Sequence, residues 1–359
     1  MIANTPLLPT TLAEVQDAVR SLSRVVVAGH GTKSALSSGA NLSMSRLQGI
    51  MEYDPGEFTF TAWAGTPIAE VRTMLAKNGQ YLPFDPPMTQ LGATLGGTVA
   101  AGLSGSGRLR FGGVRDFLLG VRLVSGEGRV VYGGGKVVKN AAGFDIPKLM
   151  VGSLGQYGVM VEMTFKVFPQ PESFSTVAFD FANTAAAVDG LLAVASSQAE
   201  PACLDFEPPY RLWVRLGGMS AAADARIARI QQLLETRHEL FRGDEEAALW
   251  RGVGEFEWLP KGYRLVKLPL VPQQIVPLEN VLGQIGVLVP RRYGVAGNVA
   301  WLGWPDDAPE SRLGELCEEL RRPAVAITGR WERKMWGSDS QHPFANRIRR
   351  VFDPENKLS

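Results

Sequence analysis

Between Pro83 and Pro169 the chain carries three glycine-dense segments. They are Pro86-Pro-Met-Thr-Gln-Leu-Gly-Ala-Thr-Leu-Gly-Gly97, Gly102-Leu-Ser-Gly-Ser-Gly107, and Lys139-Asn-Ala-Ala-Gly-Phe-Asp145 followed by Val151-Gly-Ser-Leu-Gly-Gln-Tyr-Gly158. Eighteen of the 40 glycines fall between Gly92 and Gly158. Backbone without a Cβ enters positive-φ conformations and brings N–H groups close to a ligand, so such a stretch reads as loops wrapped on an extended, polar cofactor. A turn-rich β domain without a ligand is the alternative, although turn glycines ordinarily come singly at hairpin tips.

The bulk of the chain narrows the classes of partner. With 359 residues it is long enough for two domains, and 37 Lys+Arg nearly cancel 36 Asp+Glu with no basic block, which argues against nucleic acid or an anionic membrane surface as partner. Cys203 and Cys317 lie too far apart to hold an iron-sulfur cluster, and His30, His238 and His342 share no ligand spacing, so no metal site is expected. The opening Met1-Ile-Ala-Asn-Thr-Pro6 lacks a basic region followed by an apolar stretch, and no run of about 18 uncharged apolar residues occurs. These features predict a cytoplasmic protein with no membrane span of its own.

The periodicity predicts a helix over 11–22, capped by Thr11 with Glu14 three residues on, then a buried strand Arg24–Ala28 ending in Gly29-His-Gly-Thr-Lys-Ser34. A strand over 58–63 follows, and a helix capped by Thr66 and closed by Gly79. Two strands turn about Gly126-Glu-Gly128, and a further strand from Val159 stops at Pro169-Gln-Pro171, the expected domain boundary. Beyond it strands and helices alternate: strands near 173–181, 211–216, 263–270, 293–304 and 324–327, and helices near 184–197, 220–240, 276–285 and 310–321. This order predicts an antiparallel sheet with helices on one face, built from a split βαβ unit used twice. A last helix over 343–352 is expected to return to the first domain.

The Gly29–Ser34 loop offers successive N–H groups, a hydroxyl and an ammonium, a set that suits a pyrophosphate. A Walker A loop needs Gly directly before Lys-Ser, where Thr32 stands, and a Rossmann fingerprint needs an immediate helix, for which Ala35–Ser43 is too rich in Gly and Ser. A third owner, a fold that seats pyrophosphate on loops from several strands, accounts for the later glycine segments as well.

Residues 10–171, with Gly29-His-Gly-Thr32, Thr94-Leu-Gly-Gly97, Phe111-Gly-Gly-Val-Arg-Asp116 and Lys148-Leu-Met-Val-Gly-Ser-Leu-Gly155 in this order, resemble the FAD-binding domain of the vanillyl-alcohol oxidase and para-cresol methylhydroxylase (PCMH) superfamily. Within it, Pro83-Phe-Asp-Pro-Pro87, Val114-Arg-Asp-Phe-Leu-Leu-Gly120 and the closing Phe352-Asp-Pro-Glu355 are similar to the second flavin subunits of bacterial glycolate oxidase (glycolate dehydrogenase); the usual Asn-Pro-Gly after that closing motif is missing.

The resemblance implies an α+β protein. Residues 1–171 would be a PCMH-type, two-subdomain FAD-binding domain, 172–340 an α+β cap domain with an antiparallel sheet, and 341–359 a C-terminal helix returning to the FAD domain. It implies that Gly29, His30, Gly31, Thr32, Lys33 and Ser34 form the pyrophosphate loop. Pro87, Thr94, Leu95, Gly96, Gly97, Thr98 and Gly102 would cover the phosphates and ribityl chain, and Asn140, Gly143, Gly152, Ser153 and Gly155 would complete the wall. Val159 and Val161 would lie on an edge strand facing the nucleotide. FAD would be held non-covalently, because relatives that attach flavin through a histidine have it where Gly31 stands.

The resemblance further implies a small 2-hydroxy acid substrate, a paralogous FAD subunit and an iron-sulfur partner, with membrane association only through that complex. The His-x-Gly-Asp-Gly-Asn type motif of relatives that oxidise 2-hydroxy acids is missing, so no catalytic base is identified. Arg108, Arg110, Arg115, Arg291 and Arg292 are candidates to hold a carboxylate, with solvated or interdomain charges as the alternative, and Trp250, Trp258, Trp331 and Trp336, in polar contexts, are candidate exposed partner contacts, with ordinary core or rim tryptophans as the alternative. A self-sufficient flavin oxidoreductase and a structural subunit with a vestigial flavin site remain as other readings.

Overall fold

The computed structural model describes residues 5–135, 144–337 and 343–358. The chain divides into two units: the first takes in residues up to Ser104, Gly112–Gln170 and the C-terminal helix, and the second takes in Gly105–Phe111 and the chain from Pro171. The segment Gly105–Phe111, assigned on sequence to the FAD domain, thus belongs with the cap.

In the first unit, α1 (Leu12–Ser21) starts where Thr11 Oγ1 accepts the Glu14 N–H at 3.2 Å. The expected reciprocal bond shifts by one residue, with the Glu14 carboxylate accepting from the Thr10 N–H at 2.6 Å. Val15 and Val19 on the apolar stripe are fully buried against Leu42, Leu47, Val124, Val159 and Leu358. The predicted first strand contracts to β1 (Val27–Ala28), which pairs in parallel with β2 (Leu42–Ser43). Next to this small pair stands a five-stranded antiparallel sheet. Its strands are β3 (Ile50–Asp54), β4 (Thr59–Trp63), β6 (Leu118–Val124), β7 (Val130–Gly134) and β8 (Val159–Lys166), in the order β3-β4-β8-β6-β7, while β5 (Gln80–Tyr81) and β9 (Phe168–Pro169) pair separately.

β8 is therefore the central strand of the sheet, not an edge. Between β4 and β6 lie α2 (Ile68–Ala76) and α3 (Leu95–Ala101). Pro67, not Thr66, occupies the cap position of α2, because the Thr66 hydroxyl is engaged with the backbone of Gly49 at 2.9 and 3.2 Å. The C-terminal helix, Pro343–Phe352, ends in a tail tied to this unit. Asp353 accepts from the N–H groups of Lys357 and Leu358, and Leu358 is buried beside Val25.

The second unit is built on a nine-stranded sheet of β10 (Ser173–Asp180), β11 (Cys203–Glu207), β12 (Arg211–Gly218), β13 (His238–Arg242), β14 (Tyr263–Pro269), β15 (Arg291–Gly294), β16 (Val299–Pro305), β17 (Ala324–Ala326) and β18 (Met335–Trp336). The order is β13-β10-β12-β11-β15-β16-β14-β17-β18, and every neighbouring pair is antiparallel. Helices Thr184–Ala195 and Ser220–Leu234 follow β10 and β12, and Ile275–Gln284 and Glu310–Leu320 follow β14 and β16. Each half is thus a βαββαβ unit whose four strands stand in the spatial order fourth, first, third, second. The two halves join through their second strands at Phe206 and Tyr293.

In this unit β11, β13, β18 and the helix Gly243–Glu255 were not anticipated. The helix expected to run to Leu240 ends at Leu234, where Glu235 turns to φ +45°, and β13 and the helix Gly243–Glu255 follow. β11, read as Cys-Leu-Asp-Phe-Glu, was also missed.

Candidate cofactor site

β1 delivers the chain into the loop Gly29–Lys33, and a helical turn then starts as the Lys33 carbonyl accepts the N–H groups of Leu36 and Ser37 at 3.0 and 3.1 Å. The Gly29 carbonyl takes the Ser43 hydroxyl at 3.0 Å, and His30 Nδ1 lies 2.9 Å from the Gly92 carbonyl. These contacts hold the loop as one wall of an open-mouthed pocket of about 730 Å³. Ala64 and the first and last turns of α3 form a second wall, and Leu154, Gly155, Gly158 and Met160 a third. Lys33 is 6 % exposed and lines the pocket.

The polar inventory separates donors from walls. Among the described residues no protein acceptor takes the N–H groups of His30, Gly31 or Thr32. Those at the start of α3 are consumed inside the fold: Leu95 donates to the Thr66 carbonyl, Gly96 to the Ala64 carbonyl at 2.8 Å, and Gly97 to Thr94 Oγ1 at 3.2 Å. Gly96 and Gly97 therefore serve as bare wall, and the Gly29 loop as donor. Glycine is required where it stands: Gly31 (φ +74°) and Gly155 (φ +83°) adopt left-handed conformations, and a Cβ on either would meet no protein atom within 4 Å. The hydroxyls of Thr98 and Ser153 are buried without a hydrogen-bond partner among the described residues, but neither residue lines this pocket. Open N–H donors, an ammonium and an uncovered glycine cradle form a donor set that fits a nucleotide with a pyrophosphate.

The structure brings Gly29, His30, Gly31, Thr32, Lys33, Thr94, Gly96, Gly97 and Gly155 together around this pocket. Ser34 is exposed, and Pro87 and Leu95 are buried away from the lining. Gly102 and Gly152 sit back to back, a Cβ on Gly102 falling 3.3 Å from the Gly152 backbone, and so pin the 152–155 loop to α3. The Gly152 and Leu154 N–H groups, both donating at 2.9 Å to the Val99 and Ala100 carbonyls, complete that attachment. Val159 and Val161 point into the core with α1, whereas Gly158 and Met160, one residue out of phase, line the pocket. Asn140, Gly143 and His342 lie outside the described residues. Sequence reasoning also missed Leu36, Ser37, Met44 and Ala64, whose only signal is their place directly after a strand or loop.

The cap-domain candidates are mostly engaged. Arg110 donates to the Glu200 carboxylate and carbonyl, both at 2.8 Å, and Arg291 grips Glu279. Arg115 is exposed in the first unit. Trp250 and Trp336 are buried, at 4 % and 6 % exposure, and Trp258 and Trp331 are half-buried, so these four do not form an exposed aromatic surface and the core or rim reading holds. Trp250 Nε1 donates to Thr176 Oγ1 at 2.8 Å, and Trp331 meets Trp336 edge-to-face and lies under the Arg264 guanidinium. Among the described residues no three His, Cys, Asp or Glu side chains cluster as a metal site, and no helix is long and apolar enough to cross a membrane.

Residues 6–134 match the family described as FAD binding domain. The glycolate oxidase subunit GlcE of Escherichia coli (strain K12) is 33% identical over 289 residues, covering 77% of this chain and 78% of that protein. The chain belongs to the GlcE family of glycolate oxidase subunits. FAD is its cofactor, and it is an FAD-dependent oxidoreductase of a type that acts on hydroxy acids. The glycolate oxidase subunit GlcD of Bacillus subtilis (strain 168) is 29% identical over 168 residues, and the match spans 47% of this chain but only 36% of that one. The D-2-hydroxyglutarate dehydrogenase of Xanthomonas citri pv. viticola is 31% identical over 173 residues, again 36% of its length. In structure the chain is similar to alkyldihydroxyacetonephosphate synthase, with a TM-score of 0.71 and 16% identity over 98% of this chain and 76% of that one, which establishes the PCMH-type fold alone.

Proposed function

We propose that this GlcE-family chain is the FAD-binding subunit of a complex that oxidises glycolate to glyoxylate. The observation that carries the reading is the similarity to a glycolate oxidase subunit over most of both chains, together with a pocket whose donors suit a pyrophosphate. In this reading a paralogous flavin subunit and an iron-sulfur subunit are its partners, and electrons leave through the iron-sulfur subunit. FAD, when bound, supplies the two-electron acceptor for an alcohol carbon.

The chain's own contribution is binding and orientation. The N–H groups of His30, Gly31 and Thr32 donate to the pyrophosphate, and Lys33 offsets its charge. Gly31, Gly96, Gly97 and Gly155 let it approach the backbone. The cofactor is held non-covalently, and His30 is occupied by the Gly92 carbonyl.

The test is to purify the chain alone and record its visible spectrum before and after adding FAD. Absorbance at about 450 nm that survives desalting is expected, since the bound flavin is the chromophore. Its absence both before and after FAD addition would refute the reading. Co-expression with the two partner subunits should then give glycolate-dependent bleaching of that band.

A further inference from the structure

The Gly29–Lys33 loop is fixed firmly at its two ends and lightly in its middle. At its start the Gly29 carbonyl accepts the Ser43 hydroxyl at 3.0 Å, and at its finish the Lys33 carbonyl accepts the N–H groups of Leu36 and Ser37. Between them stand His30, Gly31 and Thr32, whose N–H groups find no protein acceptor among the described residues, with Gly31 at φ +74°. The hydrogen bond that restrains this middle comes from a side chain: His30 Nδ1 lies 2.9 Å from the Gly92 carbonyl.

The anchor at the other end of that bond is itself held. Gly92 closes a turn in which its N–H donates to the Thr89 carbonyl at 3.2 Å, while Ala93 donates to the Met88 carbonyl at 3.0 Å and accepts from the Ile68 N–H at 2.8 Å. The Thr89 hydroxyl adds a bond to the Pro86 carbonyl at 3.0 Å. Gly92 takes φ +88°, a left-handed conformation that glycine adopts without strain. A carbonyl oxygen accepts and never donates, so the proton of the His30 bond sits on Nδ1, and the neutral imidazole keeps its lone pair on Nε2. An asparagine amide nitrogen stands at the same remove from Cβ as Nδ1 and offers the same donor, whereas that of glutamine stands one bond further out.

We infer that His30 is a positioning residue for the cofactor: its Nδ1–H latches the loop to the Gly92 turn and holds the N–H groups of His30, Gly31 and Thr32 in place for a pyrophosphate. The inference rests on the reading of this chain as an FAD-binding subunit, and adds the side chain that keeps the donor loop in its binding form. Donors arranged before the ligand arrives leave less to be ordered on binding, so the latch acts on affinity. His30 is exposed, and its bond lies at the surface, so it contributes little to the stability of the empty chain.

The experiment measures the affinity of FAD, and of ADP as a pyrophosphate without a flavin, for the full chain and for His30→Asn, His30→Gln and His30→Ala, with thermal melts of each ligand-free chain. His30→Ala and His30→Gln should weaken both ligands roughly three- to tenfold, the worth of one hydrogen bond, with little change in melting temperature, and His30→Asn should bind like the parent chain. Nitrogen NMR of the neutral imidazole should place its proton on Nδ1. A histidine that merely steadies the fold would lower the melting temperature in the variants and leave affinity below the melt unchanged, and that result overturns the inference. So does His30→Asn binding as weakly as His30→Ala, or a proton found on Nε2. ADP keeps the two readings apart: ADP weakened by His30→Ala in a chain that retains no FAD supports the latch and refutes the flavin reading, whereas FAD bound equally well by all four chains refutes the latch alone. A parent chain that binds neither ligand refutes both.

Discussion

Replacing Gly29 by alanine tests the packing that positions the pyrophosphate loop. The new methyl would overlap Thr94 Oγ1 and fall 3.1 and 3.2 Å from Thr94 Cγ2 and Cβ. Thr94 cannot simply rotate away, because its hydroxyl caps α3 by accepting the Gly97 N–H and its side chain is buried. Either the cap is lost, at about 1 kcal/mol, or the loop is pushed outward, at the roughly 1–3 kcal/mol typical of overpacking. Either way the cost of roughly 1–3 kcal/mol corresponds to a fall in melting temperature of about 2–12 °C at 2–4 °C per kcal/mol for a unit of this size. Thr94→Ala alone loses only the cap, and in Gly29→Ala/Thr94→Ala the methyl finds room, so the double variant should be no less stable than Thr94→Ala. Thermal melts of the FAD-free chain read all three. Additive losses in the double variant, or an unperturbed Gly29→Ala, would show that the two residues do not touch and that the wall is wrongly drawn.

Three further outcomes follow from the same geometry. Thr98→Val removes a buried hydroxyl that has no partner among the described residues, so the FAD-free chain should melt at the same temperature or higher; parallel thermal melts check this, and a clear fall would show that the hydroxyl is bonded. Lys33→Met should reduce FAD affinity by roughly 10- to 100-fold, the worth of one charge-assisted contact, with the fold intact by circular dichroism. For Lys267, the folded value of about 8 lies below the ordinary lysine value, so between these two the unfolded chain binds more protons and stability rises with pH. Urea melts of wild type minus Lys267→Met should therefore diverge upward from about pH 8 to pH 10 and run flat below, whereas a flat or falling difference across that window refutes the burial of this ammonium.

The turn at Gly29–Lys33 could be read from the sequence because its signal is local. A buried apolar run ending in Gly-His-Gly-Thr-Lys leaves few conformations, and among the described residues no protein acceptor takes the N–H groups of His30, Gly31 or Thr32. The roles of Gly96 and Gly97 could not be read the same way, since whether an N–H is free depends on which carbonyls lie behind it, here those of Ala64 and Thr66. Val159 and Val161 show a second limit. Alternation establishes which residues share a face, but Met160 is as apolar as Val159 and Val161, so nothing local marks it as the residue that lines a cavity. Thr66-Pro67 shows a third: a sound capping signal lost to a tertiary bond with Gly49.

The cap domain carries this limit furthest. β11 was missed because Asp205 and Glu207 alternate with Leu204 and Phe206, which reads as a strand with one face in water, too short to stand out. In the structure Asp205 is buried at 1 % exposure. The duplicated βαββαβ plan explains how. Its four long helices follow the first and third strands of each half, and the two halves meet at β11 and β15, so residues there are enclosed by sheet on both sides and by Gly105–Phe111 through Ser106. Charge is thus enclosed where the pattern predicts solvent, and burying it is unfavourable unless the group is paired. Asp205 has its donors, and Arg292 next to it is ion-paired with Asp205 at 3.5 Å and with Glu207 at 3.2 Å. Buried ion pairs add little over a well-packed hydrophobic replacement, but removing one partner leaves the other charge uncompensated. Asp205→Asn should therefore strand Arg292 and lower stability by several kcal/mol, read as a shift of the urea midpoint, whereas an unchanged midpoint would show that the carboxylate does not hold this junction together.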